Sequence, residues 1–253
     1  MLFTAERTNE KSTSDNPIYQ RHLFAYQKAL SYMKGKVLEV GCGEGYGSKI
    51  LAPHCEHYTA IDKFKALNQD NLKGIEFIQM NVPYLTRFED NSFDIVVSFQ
   101  VIEHIEDDHT FLKEISRVLK PGGKLIMTTP NIKMSLTRNP YHIREYQTKE
   151  LHELCEKYFS KVETLGIFGD ATAMSYYEVN KAGVEKFTRF DIFNLQYRLP
   201  RRLLQIPYDI FNRLNRLRLS KKNTNLVSNI SVDSFFLKVA EDNCFDFFVE
   251  ATK

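Results

Sequence analysis

Apolar residues along this chain fall into short, nearly continuous runs separated by stretches of helical period. Val37-Leu38-Glu39-Val40, Tyr58 to Ile61, Ile75 to Met80, Phe93 to Phe99 and Lys124 to Thr129 read as strands, the continuous runs as strands buried on both faces. Between the fourth and fifth, Asp107 to Leu119 carries Phe111, Leu112, Ile115, Val118 and Leu119 on one side, an amphipathic helix. Ile18 to Leu30 shows helical spacing ahead of the first strand, and Thr148 to Phe159 predicts another helix. A sixth strand over Val162 to Phe168 and a last one over Phe245 to Ala251 complete the series. Strands alternating with helices imply an α/β, doubly wound, mostly parallel sheet whose ligand crevice lies at the carboxyl ends of the strands. The stretch 170–240 is long for a connection between neighbouring strands and predicts an insertion with its own helices. The expected organisation is an arm over 1–34, a core over 35–169, the insertion over 170–240 and a final core strand over 241–253.

Composition narrows this little: 253 residues, 43% hydrophobic and 26% charged, are ordinary for a globular chain. No run of roughly 18 apolar residues appears, and Met1 to Arg7 lacks the apolar centre of a signal peptide, so a cytoplasmic location is expected. Cys42, Cys55, Cys155 and Cys244 lie far apart without a C-x-x-C pair, which excludes a zinc ribbon and predicts reduced thiols. Charge is more telling. The net value of +2 hides the segment 198–222, where eight basic residues face the single acid Asp209. Within it Leu199, Leu203, Ile206, Ile210, Leu214 and Leu217 recur at three- and four-residue spacing, as in a basic amphipathic helix broken near Pro207. Such a helix either lies on an anionic bilayer, peripheral to the inner face of the membrane, or packs its stripe on the core and caps the site. Arginines interleaved with aromatics also permit nucleic acid, but no base-stacking module supports it.

The first strand runs straight into Gly41-Cys42-Gly43-Glu44-Gly45-Tyr46-Gly47, where glycines allow torsions and close ligand approach that a Cβ would block. Twenty-one positions after Gly41, Asp62 ends the second strand, placed to accept both hydroxyls of a ribose. The spacing G-x-G-x-G is not the dinucleotide pattern, since Tyr46 stands where its third glycine would be. Glu39 would repel a pyrophosphate and suits a cofactor with a cationic amino group, namely S-adenosyl-L-methionine. These residues resemble the class I S-adenosylmethionine-dependent methyltransferases, whose first motif reads acidic-x-G-x-G-x-G. Ser98-Phe99-Gln100-Val101-Ile102-Glu103-His104 and Leu119-Lys120-Pro121-Gly122-Gly123 extend the likeness to the type-11 group, over about 35–131. That group includes ubiquinone-pathway methyltransferases and bacterial enzymes associated with polysaccharide biosynthesis.

The resemblance implies a Rossmann-like, seven-stranded sheet whose last strand enters antiparallel, with the helical insertion between strands six and seven. It implies a cofactor set of Glu39, Gly41, Cys42, Gly43, Gly45, Tyr46, Asp62 and Lys63, joined by Ser98, Gln100 and Val101 from the fourth motif. Asn81 stands where the family places an acid for the adenine amino group; its carbonyl can accept that bond, and Val82 follows it. His104 is the candidate base, against the alternative that it orients a loop. The arm folds over the cofactor mouth in such proteins, making His22 and Tyr26 lid candidates. Asn131, Tyr141, His142, Arg144 and Tyr146 form a polar cluster expected to face a sugar and its phosphate. Glu103, His104 and His142 are similar to part of the ligand set of small-RNA 3′-end methyltransferases, but Gln100 replaces the first acid, so no metal is expected. O-methylation of a glycan or lipid-linked saccharide is the leading expectation. A quinone-type or other small-molecule acceptor, RNA methylation and a non-enzymatic cofactor-binding module are the alternatives.

Overall fold

The computed structural model describes residues 13–66, 69–189, 191 and 194–253. The leading residues on which the missing signal-peptide core was read lie outside this set. The buried runs form β1 (Lys36–Val40), β2 (His57–Asp62), β3 (Glu76–Gln79), β4 (Phe93–Phe99), β5 (Leu119–Pro130) and β6 (Lys161–Gly169). The final strands are β7 (Phe235–Val239) and β8 (Asp246–Thr252), and the sheet order is β3-β2-β1-β4-β5-β8-β6-β7. Among the described residues the sheet therefore has eight strands where seven were expected. β8 enters antiparallel between β5 and β6, as the resemblance implied. The additional strand, β7, pairs antiparallel with β6 at the sheet edge, with Leu165 opposite Val239. It is five residues long with a mixed burial pattern, so it lacks the continuous apolar run that marks a strand buried on both faces.

Alternation along the strands divides the core into two layers. Leu38, Val96, Leu125, Phe247 and Val249 meet α3 (Asp108–Val118) through Phe111, Leu112 and Ile115 on one face. Val37, Ile95, Val97, Ile126 and Phe248 meet α1 (Asn16–Ala29) through Phe24, Ala25 and Ala29 on the other. The α3 helix starts where Asp107 accepts the Thr110 N–H at 2.9 Å, closing one orphan donor of its first turn. The helix α2 (Tyr46–Leu51) follows the glycine loop, and α4 (Thr148–Glu156) precedes β6.

Between β6 and β7 the insertion contributes α5 (Ala171–Thr188), α6 (Leu195–Arg198), α7 (Arg201–Lys222) and α8 (Thr224–Asn229). The α7 helix continues through Pro207 where a break was expected. Proline removes one intrahelical hydrogen bond, and Pro207 is exposed, so solvent can serve the carbonyl thus released. No helix among the described residues is long and apolar enough to cross a membrane. The β8 strand carries both layers at once, because Phe247 and Phe248, each fully buried, point to opposite faces. Phe247→Ala and Phe248→Ala are each expected to cost about 3–5 kcal/mol of stability, read from urea unfolding midpoints.

Candidate functional site

The glycine loop is bent onto the end of β2, where the Gly41 and Cys42 amides both donate to the Ile61 carbonyl, at 2.8 and 3.1 Å. Gly41 has φ +82°, and a Cβ there would stand 2.3 Å from Val101 Cγ2, so this position admits only glycine. Asp62 closes the turn from below, accepting the Gly43 N–H at 2.9 Å on Oδ2 and the Phe64 N–H at 2.8 Å on Oδ1. A Cβ on Gly43 would meet no protein atom within 4 Å and would project into a cavity of about 640 Å³. The cavity size lies within the range of about 300–1,000 Å³ usual for cofactor pockets.

This cavity gathers Gly41, Cys42, Gly43, Tyr46, Asp62, Lys63, Asn81, Val82, Gln100 and Val101 from the cofactor set. His104, His22, Tyr26 and Tyr141 line it as well. The lining thus combines the glycine loop and Asp62 with Asn81, Val82 and His104. Those residues fit S-adenosylmethionine.

Other expected residues lie elsewhere. Glu39 is not on the cavity lining; it is fully buried beneath the loop, where the Tyr26 hydroxyl donates to Oε1 at 2.8 Å and the Tyr58 hydroxyl to Oε2 at 2.9 Å. The Ser48 hydroxyl donates to the same Oε2. Burial raises the Glu39 carboxyl above its ordinary pKa, and these hydroxyls partly offset the shift. Gly45 caps the start of α2 with φ +75°, and Ser98 is fully buried in β4; neither is on the lining. Arg144 does not reach the cavity, since Asp108 at 2.8 Å and Glu150 take its guanidinium. Tyr146 is fully buried with its hydroxyl on Asp108 at 2.9 Å. Asp108, brought in from α3, holds both side chains, and Glu150 holds Arg144 as well, so these acids claim the pair before any phosphate could.

Asn131 and His142 line a second, smaller cavity beside the first. Asn131 holds the turn after β5, donating to the Asp242 and Cys244 carbonyls at 3.0 and 2.9 Å. His104 and His142 stand edge to face with ring centroids 4.9 Å apart. The His104 Nδ1 lies 3.0 Å from the Tyr141 carbonyl, which can only accept, so Nδ1 carries the proton and Nε2 is the basic nitrogen. His142 contacts Glu145 through Nδ1 at 2.6 Å and the Asn139 amide through Nε2 at 2.8 Å. Glu103, His104 and His142 offer possible ligand atoms within 4.8 Å of one another. Both ring nitrogens of His142 already have partners that a metal would have to displace.

Sequence reasoning missed Arg21, Gln205 and Asp246, all on the cofactor cavity. Asp246 carried a usable signal, being an acid in the otherwise aromatic run Phe245-Asp246-Phe247-Phe248. It is almost fully buried, burial raises its pKa, and Arg21 lies 2.9 Å away. Gln205 comes from the insertion, and nothing in the local sequence marks it.

A family profile described as a methyltransferase domain matches residues 38–127. A protein of Mycolicibacterium smegmatis named "probable S-adenosylmethionine-dependent methyltransferase" is 38% identical over 178 residues, covering 66% of this chain and 69% of that one. A relative of the same description from Mycobacterium tuberculosis is covered over 65% of its length, so the chain spans about two thirds of these relatives. The ubiquinone biosynthesis O-methyltransferase of Coxiella burnetii is 36% identical over 107 residues, 39% of this chain and 45% of that one. Among solved structures, a SAM-dependent methyltransferase from Thermotoga maritima superposes with TM-score 0.57 at 17% identity, covering 93% of this chain and 92% of that one, a likeness of fold.

Asp62→Ala removes the acceptor of two loop amides together with the proposed ribose contact. A hydrogen bond to a charged group is worth about 1.5–3 kcal/mol. Calorimetry with S-adenosylhomocysteine should show affinity lower by at least about tenfold; unchanged affinity would remove Asp62 from the cofactor site.

Proposed function

This chain belongs to the S-adenosylmethionine-dependent methyltransferases, and we propose that its acceptor is a hydroxyl of a lipid-linked saccharide presented at an anionic membrane surface. The observation that carries this reading is the division of α7 into two faces. Its inner face supplies Gln205 to the cofactor cavity and Tyr208, Asn212, Asn215 and Arg216 to the second cavity. Its outer face leaves Leu203, Ile206, Ile210, Leu214 and Leu217 exposed, Ile206 by 69%. Arg202 and Arg213 flank this stripe on one side and Arg218 on the other, and all three are exposed. An apolar stripe with a basic rim is the chemistry of a helix lying in the plane of an anionic interface.

Capping and membrane contact were alternatives for one stripe; opposite faces of one helix can serve both. The helix is fastened to the site by Tyr141, whose hydroxyl donates to Asp209 at 2.5 Å, and by Arg201, which donates to the Ile143 carbonyl at 2.8 Å. A lipid-linked acceptor held at the outer face would have its head group beside the inner one.

S-adenosylmethionine, when bound, supplies an electrophilic methyl group on a sulfonium. The residues bring the acceptor oxygen into line with it, and alignment alone can account for roughly 7–11 kcal/mol of a barrier. His104 is the proposed base: its Nε2 takes the hydroxyl proton as the oxygen bonds the methyl carbon and the carbon–sulfur bond breaks. Nothing in this step requires a metal. The ubiquinone-pathway relative favours a quinol-type phenol as the second reading.

Incubation of a membrane extract with methyl-labelled cofactor tests the acceptor: label is expected in a lipid-extractable saccharide, and label confined to a phenol would replace the reading. His104→Ala should lower turnover by about 10²–10⁴ with cofactor affinity nearly unchanged, whereas a loss below tenfold would leave His104 an orienting role. Turnover is expected to survive chelation by EDTA. Co-sedimentation with anionic vesicles is expected at low salt and should weaken as salt shortens the screening length, with Leu203→Ser and Ile210→Ser reducing it. Absence of binding at low salt would sink the membrane part.

A further inference from the structure

The second cavity holds about 230 Å³ and is bordered by α1, α5, α7 and the turn following β5. It meets the cofactor cavity at Arg21 and Asp246, which line both. The paired histidines stand at the same boundary, His104 on the cofactor side and His142 on the other. The second cavity and the proposed base thus adjoin across the His142–His104 pair.

The lining has a definite chemistry. Asn139, Asn180, Asn212 and Asn215 supply amides, and Tyr176 and Tyr177 supply aromatic faces. Asn215 is only 5% exposed and donates to Asn180 Oδ1 at 2.7 Å, linking α7 to α5. That bond uses one donor and one acceptor of a pair that carries four donors and two acceptor oxygens. The lining sets Arg21 and Arg216 against Glu145 and Asp246; Arg21 lies 2.9 Å from Asp246, and Arg216 lies 3.3 Å from Asp15, which stands outside the lining. An uncharged ligand is thus favoured inside the chamber over a phosphate.

We infer that this chamber is the acceptor subsite and takes one neutral pyranose ring, with Asn180, Asn212 and Asn215 reading its hydroxyls. This deepens the saccharide reading above and rests on it. Ring hydroxyls donate and accept in many directions, which matches planar amides, while the C–H face of the ring lies against Tyr176 and Tyr177. A quinol of similar size carries too few hydroxyls to pair the amides, and unpaired buried polar groups reject such a ligand strongly. The volume, below the range of roughly 300–1,000 Å³ typical of drug-sized ligands, suits one ring.

The test uses the full chain with S-adenosylhomocysteine bound and no membrane present. Saturation-transfer NMR is recorded with the methyl glycosides of mannose, glucose and rhamnose, and with catechol as the phenol probe. At least one glycoside should receive saturation, and Asn180→Leu should reduce that signal at least fivefold while calorimetric affinity for S-adenosylhomocysteine stays within twofold. Asn212→Leu carries the same test if Asn180→Leu fails to fold, because the Asn212 amide bonds only within its own helix among the described hydrogen bonds, to the Tyr208 carbonyl at 3.0 Å. A response from catechol alone, no response from any glycoside, or glycoside signals unchanged in the folded variants would each overturn the inference. Vesicle binding separates the two readings: its loss with glycoside binding intact removes the membrane proposal and leaves the chamber, and the reverse outcome removes the chamber alone.

Discussion

One buried carboxylate organises the end of the sheet at which everything functional is assembled. Glu39 ends almost fully inside the protein, and an ionised group there is tolerable only with donors on its oxygens. Three elements supply them: Tyr26 from α1, Tyr58 from β2 and Ser48 from α2. Meeting that demand fixes where the arm helix crosses the sheet and where the helix after the glycine loop begins. The same requirement reaches Gly47, where a Cβ would stand 2.0 Å from the Tyr26 ring. Replacing any one donor would leave a buried charge short of a partner, a cost of about 1–3 kcal/mol or more. Tyr26 also lines the cofactor cavity, so the group that satisfies Glu39 shapes the space above it. The carboxylate shapes the cavity through this frame without itself touching the lining.

How far the sequence disclosed this depends on whether a residue's role is local or tertiary. Strands buried on both faces, the glycine loop and the acid at the end of β2 are local patterns, and they stand where periodicity and spacing put them. The Asp107 cap and the single-sided apolar face of α3 are local in the same sense. Arg144 and Tyr146 show the limit. Their residue types suit phosphate and sugar, but Asp108 and Glu150 fold against them and satisfy them first. No one-dimensional pattern reveals which of two eligible partners arrives. The edge strand β7 failed for another reason: it is short, pairs on one side and has no buried run to announce it. Under the proposal, Gln205 and the amides of α5 and α7 gain their roles only where these helices border the cavities, which no local pattern marks.

In the proposed function, the insertion is what gives a shared fold its own acceptor selectivity. A doubly wound sheet fixes where a nucleoside binds but leaves the acceptor undefined, so acceptor chemistry has to come from whatever covers the carboxyl edge. Here that cover is anchored by hydrogen bonds between helix and loop. Arg138 donates to the Gln196 carbonyl at 2.9 Å, Arg201 to that of Ile143, and Tyr141 to Asp209, the only acid of the basic segment. The loop they hold is in turn stitched to the helical turn that follows β4, since the Glu103 carbonyl accepts the Ile143 N–H at 2.7 Å and the Tyr141 carbonyl accepts from His104. A displacement of α7 would therefore be felt at the ring of His104 through two hydrogen bonds. Charge follows the same division. Asp209 is spent inward on the loop, which leaves the outward face with basic residues around its exposed leucines and isoleucines. A helix that only covered the site would gain by burying that stripe, because five half-exposed aliphatic side chains forgo part of the roughly 1.5–3 kcal/mol that full burial of each would bring. Their exposure on a helix so firmly held from below is what directs the reading outward, to a surface that can take up both the apolar stripe and its basic rim.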